Sequence, residues 1–253
     1  MRFWALHVAK ASLTALLMAV TMLGAAGIQP PRTAASRVES FRANGVTMLG
    51  ALLKLGQQEH LSLGIDYLNL DAVEAPVRVS LEHTTVGQIL DAIVRQDPGY
   101  FWRLKDGIVV VSHEGAPTGP RNLLDYVLPV FSIPRCTLQE ANQALWMTLY
   151  VRLHPETKGF AGTYSPGRMS TRVGPFYLRA SSVRQALDAI VSGAGDAAWV
   201  AQVPPDHLQE LPPTGLWRLI DFRDPDVLRQ ADLVRQNLHR SAPATAQQRG
   251  RGR

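Results

Sequence analysis

The residues best placed to do chemistry in this chain occur in duplicate. Gln88, Asp91 and Trp102 recur as Gln185, Asp188 and Trp199, each 97 residues further on. Repeated chemistry, with each aspartate acting as a general acid or base, is the first reading such a pattern invites. The spacing argues against it. Each aspartate sits one position after an apolar leucine, Leu90 or Leu187, and the neighbouring helical turns carry no partner carboxylate. Asp91 and Asp188 are therefore expected as helix-surface carboxylates facing solvent and able to meet an arginine. Gln88 and Gln185 are expected as helix caps, and Trp102 and Trp199 as hairpin residues packing on the helix before them.

Other reactive groups are scattered. The seven histidines, His7, His60, His83, His113, His154, His207 and His239, have no partner at metal-ligand spacing. There is no H-E-x-x-H, cysteine pair, calcium loop, G-x-S-x-G, P-loop or G-x-G-x-x-G motif. No catalytic residue, metal or cofactor is expected. Cys136, the single cysteine, excludes an internal disulfide and reads as a small core hydrophobe rather than a reactive thiol. One loop, residues 158–168, combines aromatic residues, glycine freedom and cations. Lys158, Phe160, Tyr164 and Arg168 are its candidate binding residues, because loops on a rigid scaffold often carry recognition.

The elements that position these groups are also duplicated. Thr47, Met48, Ala51 and Leu55 predict a capped helix, and Thr137, Leu138, Ala141 and Leu145 repeat it 90 residues later. Val86, Ile89, Leu90 and Ile93 mark the apolar face of a second helix, matched by Val183, Ala186, Leu187 and Ile190 at the longer offset of 97. About seven extra residues must therefore lie between the helices of the second copy. Thr85 with Gln88, and Ser182 with Gln185, have the spacing of a capping box. Val77–Leu81 alternates as a half-buried strand, and Asp106-Gly107 predicts a tight hairpin turn. The fold class is α+β: two small tandem α/β sandwich units of strand, helix, strand, strand, helix and hairpin.

The flanks are of a different character. Residues 11–28 form an uncharged apolar run behind Arg2 and Lys10, with small residues at Gly24, Ala25 and Ala26. This is the pattern of a secretory signal, expected to be cleaved, with a retained anchor as the alternative. The formal charge of +5 is carried by Arg2, Lys10 and the tail residues Arg249, Arg251 and Arg253, which leaves the body neutral by count. A nucleic-acid-binding body is not expected. The predicted organisation is residues 1–28 as signal or anchor, 29–39 as linker, 40–113 as the first unit, 114–122 as a Gly- and Pro-rich linker, 123–224 as the second unit with its insertion, 225–240 as a short helix and 241–253 as a basic tail.

The run V-R-V-S-L-E-H-T-T-V-G-Q-I-L-D-A-I-V, followed by Y-F-W-R-L-K-D-G-I-V-V-V, resembles the secretin and TonB short N-terminal (STN) domain. The second copy is similar at its helices and diverges between them. The resemblance implies a small α/β sandwich in the periplasm that binds other envelope proteins rather than catalysing a reaction. No run of alternating strands for a secretin pore or an outer-membrane barrel is found among these residues. The expected function is thus a non-enzymatic periplasmic adaptor, accessory to a secretion or TonB-type uptake or signalling system. Its expected partner is an envelope protein or peptide, with a glycan as a further option, and it touches membrane only if residues 11–28 are retained. The alternatives are an envelope hydrolase with its site between the two units, and a membrane-tethered accessory subunit.

Overall fold

The computed structural model describes residues 33–66, 76–116, 118–119, 122–156, 169–201, 217–224 and 226. The first copy supplies β1 (Arg37–Val46), α1 (Met48–Glu59), β2 (Leu63–Ile65), β3 (Val77–Thr85), α2 (Val86–Val94), β4 (Tyr100–Lys105) and β5 (Ile108–His113). A 3-10 turn, Leu123–Asp125, leads into the second. That copy supplies β6 (Val127–Ile133), β7 (Cys136–Thr137), α3 (Leu138–Leu153), β8 (Arg172–Val173), β9 (Phe176–Ser182), α4 (Val183–Ala194), β10 (Ala197–Ala201) and β11 (Trp217–Asp221). The chain is α+β, with two α-helices in each copy among the described residues.

Local chemistry accounts for most of the element boundaries. The Thr47 hydroxyl accepts the Gly50 N–H at the start of α1. Thr85 with Gln88, and Ser182 with Gln185, form reciprocal capping boxes, and Thr137 with Glu140 forms a third. Each N-cap satisfies a backbone donor that the helix cannot, a contribution of about 1 kcal/mol. His60 closes α1 and Gly195 closes α4, both in the left-handed region. Asp106 and Gly107, at φ 51° and 80°, form the two-residue turn between β4 and β5.

β1 begins inside the stretch expected as linker, with Arg37 opposite Thr85 and Val38 opposite Thr84. The reason lies at the start of α2: the carbonyls of Ser36 and Ala34 accept the N–H groups of Val86 and Gly87. Burial of Val38 fixes the register. The second linker is also tied down where it is described. Glu114 N–H donates to the Gly99 carbonyl, and the buried Asn122 Oδ1 accepts the Leu124 N–H.

The two copies share one sheet, of order β11-β10-β2-β5-β4. β2 runs parallel to β5 on one side and to β10 of the other copy on the other side. Strand side chains alternate between faces. Val109, Val111, Ala198 and Val200 thus join the core of α1 and α2. Ile108, Val110, Ala197 and Trp199 join the core of α3 and α4. Each core is closed by a two-stranded ribbon, β1–β3 or β6–β9. Two cores are therefore present, but each contains side chains from both copies, which the repeat alone did not reveal.

The junction depends on one missing side chain. A Cβ on Gly64 would lie 2.6 Å from the Trp199 ring, so only glycine lets β2 pass beneath that indole. At the end of α1, Gly56 makes room for Phe222 in the same way, where a Cβ would approach to 2.5 Å. Its counterpart in the second copy is Trp146, stacked on Trp217 at 3.8 Å. α3 is longer than α1, 16 residues against 12, and runs to Leu153, the counterpart of Leu63. Pro155 then stands where Ile65 stands in the first copy. Proline cannot donate to a sheet ladder, so the second copy has no equivalent of β2 at that register.

Candidate functional site

The repeated aspartates are structural, and each is joined to the repeated tryptophan of its own copy. Trp102 Nε1 donates to Asp91 Oδ1 at 2.7 Å, and Trp199 Nε1 donates to Asp188 Oδ1 at 2.9 Å. Both bonds pin a hairpin to the helix that precedes it. Among the described residues neither aspartate meets an arginine within ion-pair distance, and Asp188 is not at the surface: its side chain is only 13% exposed. Burial pushes the Asp188 carboxyl above its ordinary range, opposed by the Trp199 hydrogen bond and the charges of Lys105 and Arg184. Asp91 remains exposed. Because α2 and α4 pack on opposite faces of the sheet, the two carboxylates do not converge on one point. Recurrence of Asp and Trp together was the signal for this pairing.

A second polar constellation joins the copies. Arg184 pairs with Asp66 of the first copy and with Asp125 at 3.0 Å. Burial disfavours its charge, but the two carboxylates outweigh burial and hold the guanidinium above its usual value. Ser112 Oγ donates to the same Asp66 carboxylate at 3.2 Å. The position of Arg184 is occupied in the first copy by Gly87, where a Cβ would lie 3.2 Å from the Ala34 carbonyl. One aligned site is thus a packing glycine in one copy and an inter-copy clamp in the other. His60 Nδ1 with Asp196 Oδ1, 3.0 Å apart, and Ser62 Oγ donating to the Val191 carbonyl extend the joint. These groups are engaged in holding the copies together.

The outer ribbons also differ between the copies. The outward residues of β1–β3 include Arg37, Glu39, Arg42 and Glu82, with Arg42 and Glu82 paired at 2.9 Å. In β6–β9 the counterparts of Arg37, Glu39 and Ser40 are Val127, Pro129 and Val130. Val127 is 56% exposed, Val130 43% and Tyr177, on the adjacent strand, 59%. Arg179 Nε donates to the Tyr177 hydroxyl at 2.7 Å, and its guanidinium lies over the same ring, 5.4 Å from the centroid, while Tyr177 as a whole stays exposed. Apolar side chains of this size clustered on one exposed ribbon are a feature of interaction surfaces.

The loop residues Lys158, Phe160, Tyr164 and Arg168, the stretch 204–215 and, apart from Asp226, the expected helix 225–240 lie outside the described residues. The same is true of residues 11–28; among the described residues no helix is long and apolar enough to cross a membrane. Cys136 packs against the second core, and burial, then the charge of Glu140, raises its thiol pKa against the opposing pull of Arg172. A thiol held protonated is a poor nucleophile. Among the described residues, no three His, Cys, Asp or Glu side chains gather as a metal-ligand set. Compared with known families, curated proteins and solved structures, the chain matches none of them.

Proposed function

We propose that this protein is a non-enzymatic cell-envelope adaptor, exported to the periplasm, whose paired STN-like repeats present binding surfaces to another envelope protein. The observation that carries the reading is the contrast between the two ribbons. The same two strands are charged on the outside in the first copy, whereas in the second they expose Val127, Val130 and Tyr177 around Arg179. A face that costs solubility and adds nothing to its own core is what a partner surface requires. The polar groups repeated in both copies are used in capping helices and in fixing hairpins, which also favours binding over catalysis.

The test is a pull-down from envelope extract with the full chain and with a Val130→Asp/Tyr177→Ser variant. The parent should recover a specific envelope protein, and the variant, with an unchanged melting temperature, should recover several-fold less. Recovery of no specific partner, together with turnover of a wall or protein substrate, would overturn the reading in favour of the hydrolase. Mass spectrometry of the native N-terminus decides between export and tethering: a mature start between residues 27 and 36 is expected, and an intact residue 1 would support the tethered subunit.

A further inference from the structure

The two hairpins are related by a simple operation. β4 and β10 hold the same place in the two copies, as do β5 and β11, and Trp102 and Trp199 stand in register. Across the sheet the order β4, β5, β2, β10, β11 keeps the first strand of each hairpin on the same side of the second. β5 and β10 both run parallel to β2, so β4, antiparallel to β5, runs opposite to β10. The helices of the two copies also lie on opposite faces. A half-turn about the cross-strand direction, with a shift along it, therefore carries the first hairpin onto the second. This operation places the outer edge of β4 on the edge of β10 that β2 fills.

We propose that the outer edge of β4 takes up an extended segment of a partner protein, parallel to β4, with glycine beside Trp102, an apolar residue beside Phe101 and an acidic residue beside Arg103. The internal junction is the template. On β10, Leu63, Gly64 and Ile65 stand beside Ala198, Trp199 and Val200. Phe101, Trp102 and Arg103 are the β4 counterparts of those three. Glycine is required beside the tryptophan because a Cβ there would collide with the indole, as it would at Gly64. The flanking residues of the incoming strand lie on the other face, beside Phe101, 40% exposed, and the exposed Arg103. An apolar side chain suits the first and a carboxylate the second.

Burial differs between the two tryptophans. Trp199 is fully buried beneath β2, whereas Trp102, with the same helix and the same aspartate bond, is only partly buried. Leu104, two residues on, is 43% exposed on the same side as Trp102. Among the described residues β4 pairs with β5 alone. At Trp102 and Leu104 its other edge offers main-chain donors and acceptors to an added strand, whereas the Tyr100 N–H is already bonded to the Asp97 carbonyl, and the side chains above confer specificity. This site is separate from the β6–β9 ribbon and goes beyond the proposed function.

The experiment uses the full chain and a fluorescein-labelled hexapeptide, Leu-Ser-Leu-Gly-Glu-Thr, which copies residues 61–64 and then places glutamate beside Arg103. Fluorescence anisotropy should show saturable binding, and a Gly→Val peptide should bind about tenfold more weakly, as a collision with a packed ring demands. Arg103→Glu should weaken the parent peptide and restore binding of a peptide with lysine in place of glutamate. Charge-swap rescue separates a contact from a folding defect. No saturable binding at millimolar peptide, or equal binding of the glycine and valine peptides, would overturn the proposal. Concentration-dependent self-association abolished by Arg103→Glu would overturn it as well, because the occupant would then be a second copy. If the envelope pull-down recovers the same partner with Arg103→Glu while the peptide fails, the edge proposal falls and the ribbon reading stands.

Discussion

Trp102 and Trp199 occupy the same place in the same motif and make the same hydrogen bond, yet their surroundings differ. Trp199 lies under a neighbouring strand and is buried completely; Trp102 lies at the sheet edge and is partly open to solvent. Duplication copied the geometry within each hairpin, and the next strand decided how much that geometry contributes. Trp199→Ala should therefore cost about 3–5 kcal/mol, as removal of a fully buried indole does. Trp102→Ala should cost less than half of that. Urea unfolding followed by far-UV circular dichroism measures both. Equal losses would mean that the strand above Trp199 adds little, and the comparison on which the β4 site rests would fail.

The same contrast can be attacked from the other strand. Gly64→Ala places a methyl against the Trp199 ring, and overpacking of this kind costs about 1–3 kcal/mol. The penalty should shrink in a Trp199→Leu background, because the collision is with the indole itself. An unchanged penalty in that double mutant would locate the constraint in the backbone of β2 instead.

The aspartates sharpen the comparison through pH. A carboxyl whose folded pKa lies above its unfolded value holds its proton more tightly in the folded state. Its contribution to stability is complete below the unfolded pKa and is lost as pH rises through the raised value. Asp188 is in that position, through burial first. Asp188→Asn keeps an acceptor for Trp199 Nε1 and cannot ionise, so its stability relative to the parent should rise as pH climbs above the unfolded carboxyl value of about 4. Asp188→Ala leaves a buried indole N–H unpaired and should cost about 1–3 kcal/mol. The exposed Asp91→Ala should stay below about 1 kcal/mol, since water can replace the lost acceptor. A pH-independent difference for Asp188→Asn would show that Trp199 and Lys105 offset the burial.

What was legible in the chain follows from how local each feature is. Thr47, the Thr85–Gln88 and Ser182–Gln185 boxes and the Asp106-Gly107 turn are settled by residues within four positions of one another, and all appear where their spacing predicts. The Asp–Trp bonds were half legible. The co-recurrence was visible, but the expectation of solvent-facing carboxylates missed that a hairpin folding back on its helix brings the indole to the aspartate. The shared sheet was not legible, because Gly64 is dictated by Trp199 far along the chain and β2 is only three residues long. Arg184 was hidden for a related reason: it aligns with Gly87, and only the fold brings Asp66 and Asp125 to it.

The smallest expected effect concerns a strain that the two copies share. His83 and Ala180, 97 residues apart, both adopt positive φ, 48° and 45°, within β3 and β9. A residue with a Cβ loses about 1–2 kcal/mol in that conformation, and glycine does not, although glycine gives back about 0.5–1 kcal/mol through its freer unfolded chain. Ala180→Gly should thus stabilise by up to about 1 kcal/mol. His83→Gly should gain less, since histidine tolerates the left-handed region better than alanine does, and its exposed contact with Glu39 at 3.4 Å adds little. A loss on Ala180→Gly would mean that the left-handed turn is not what limits β9, and that the methyl of Ala180 makes a contact worth more than the strain it costs.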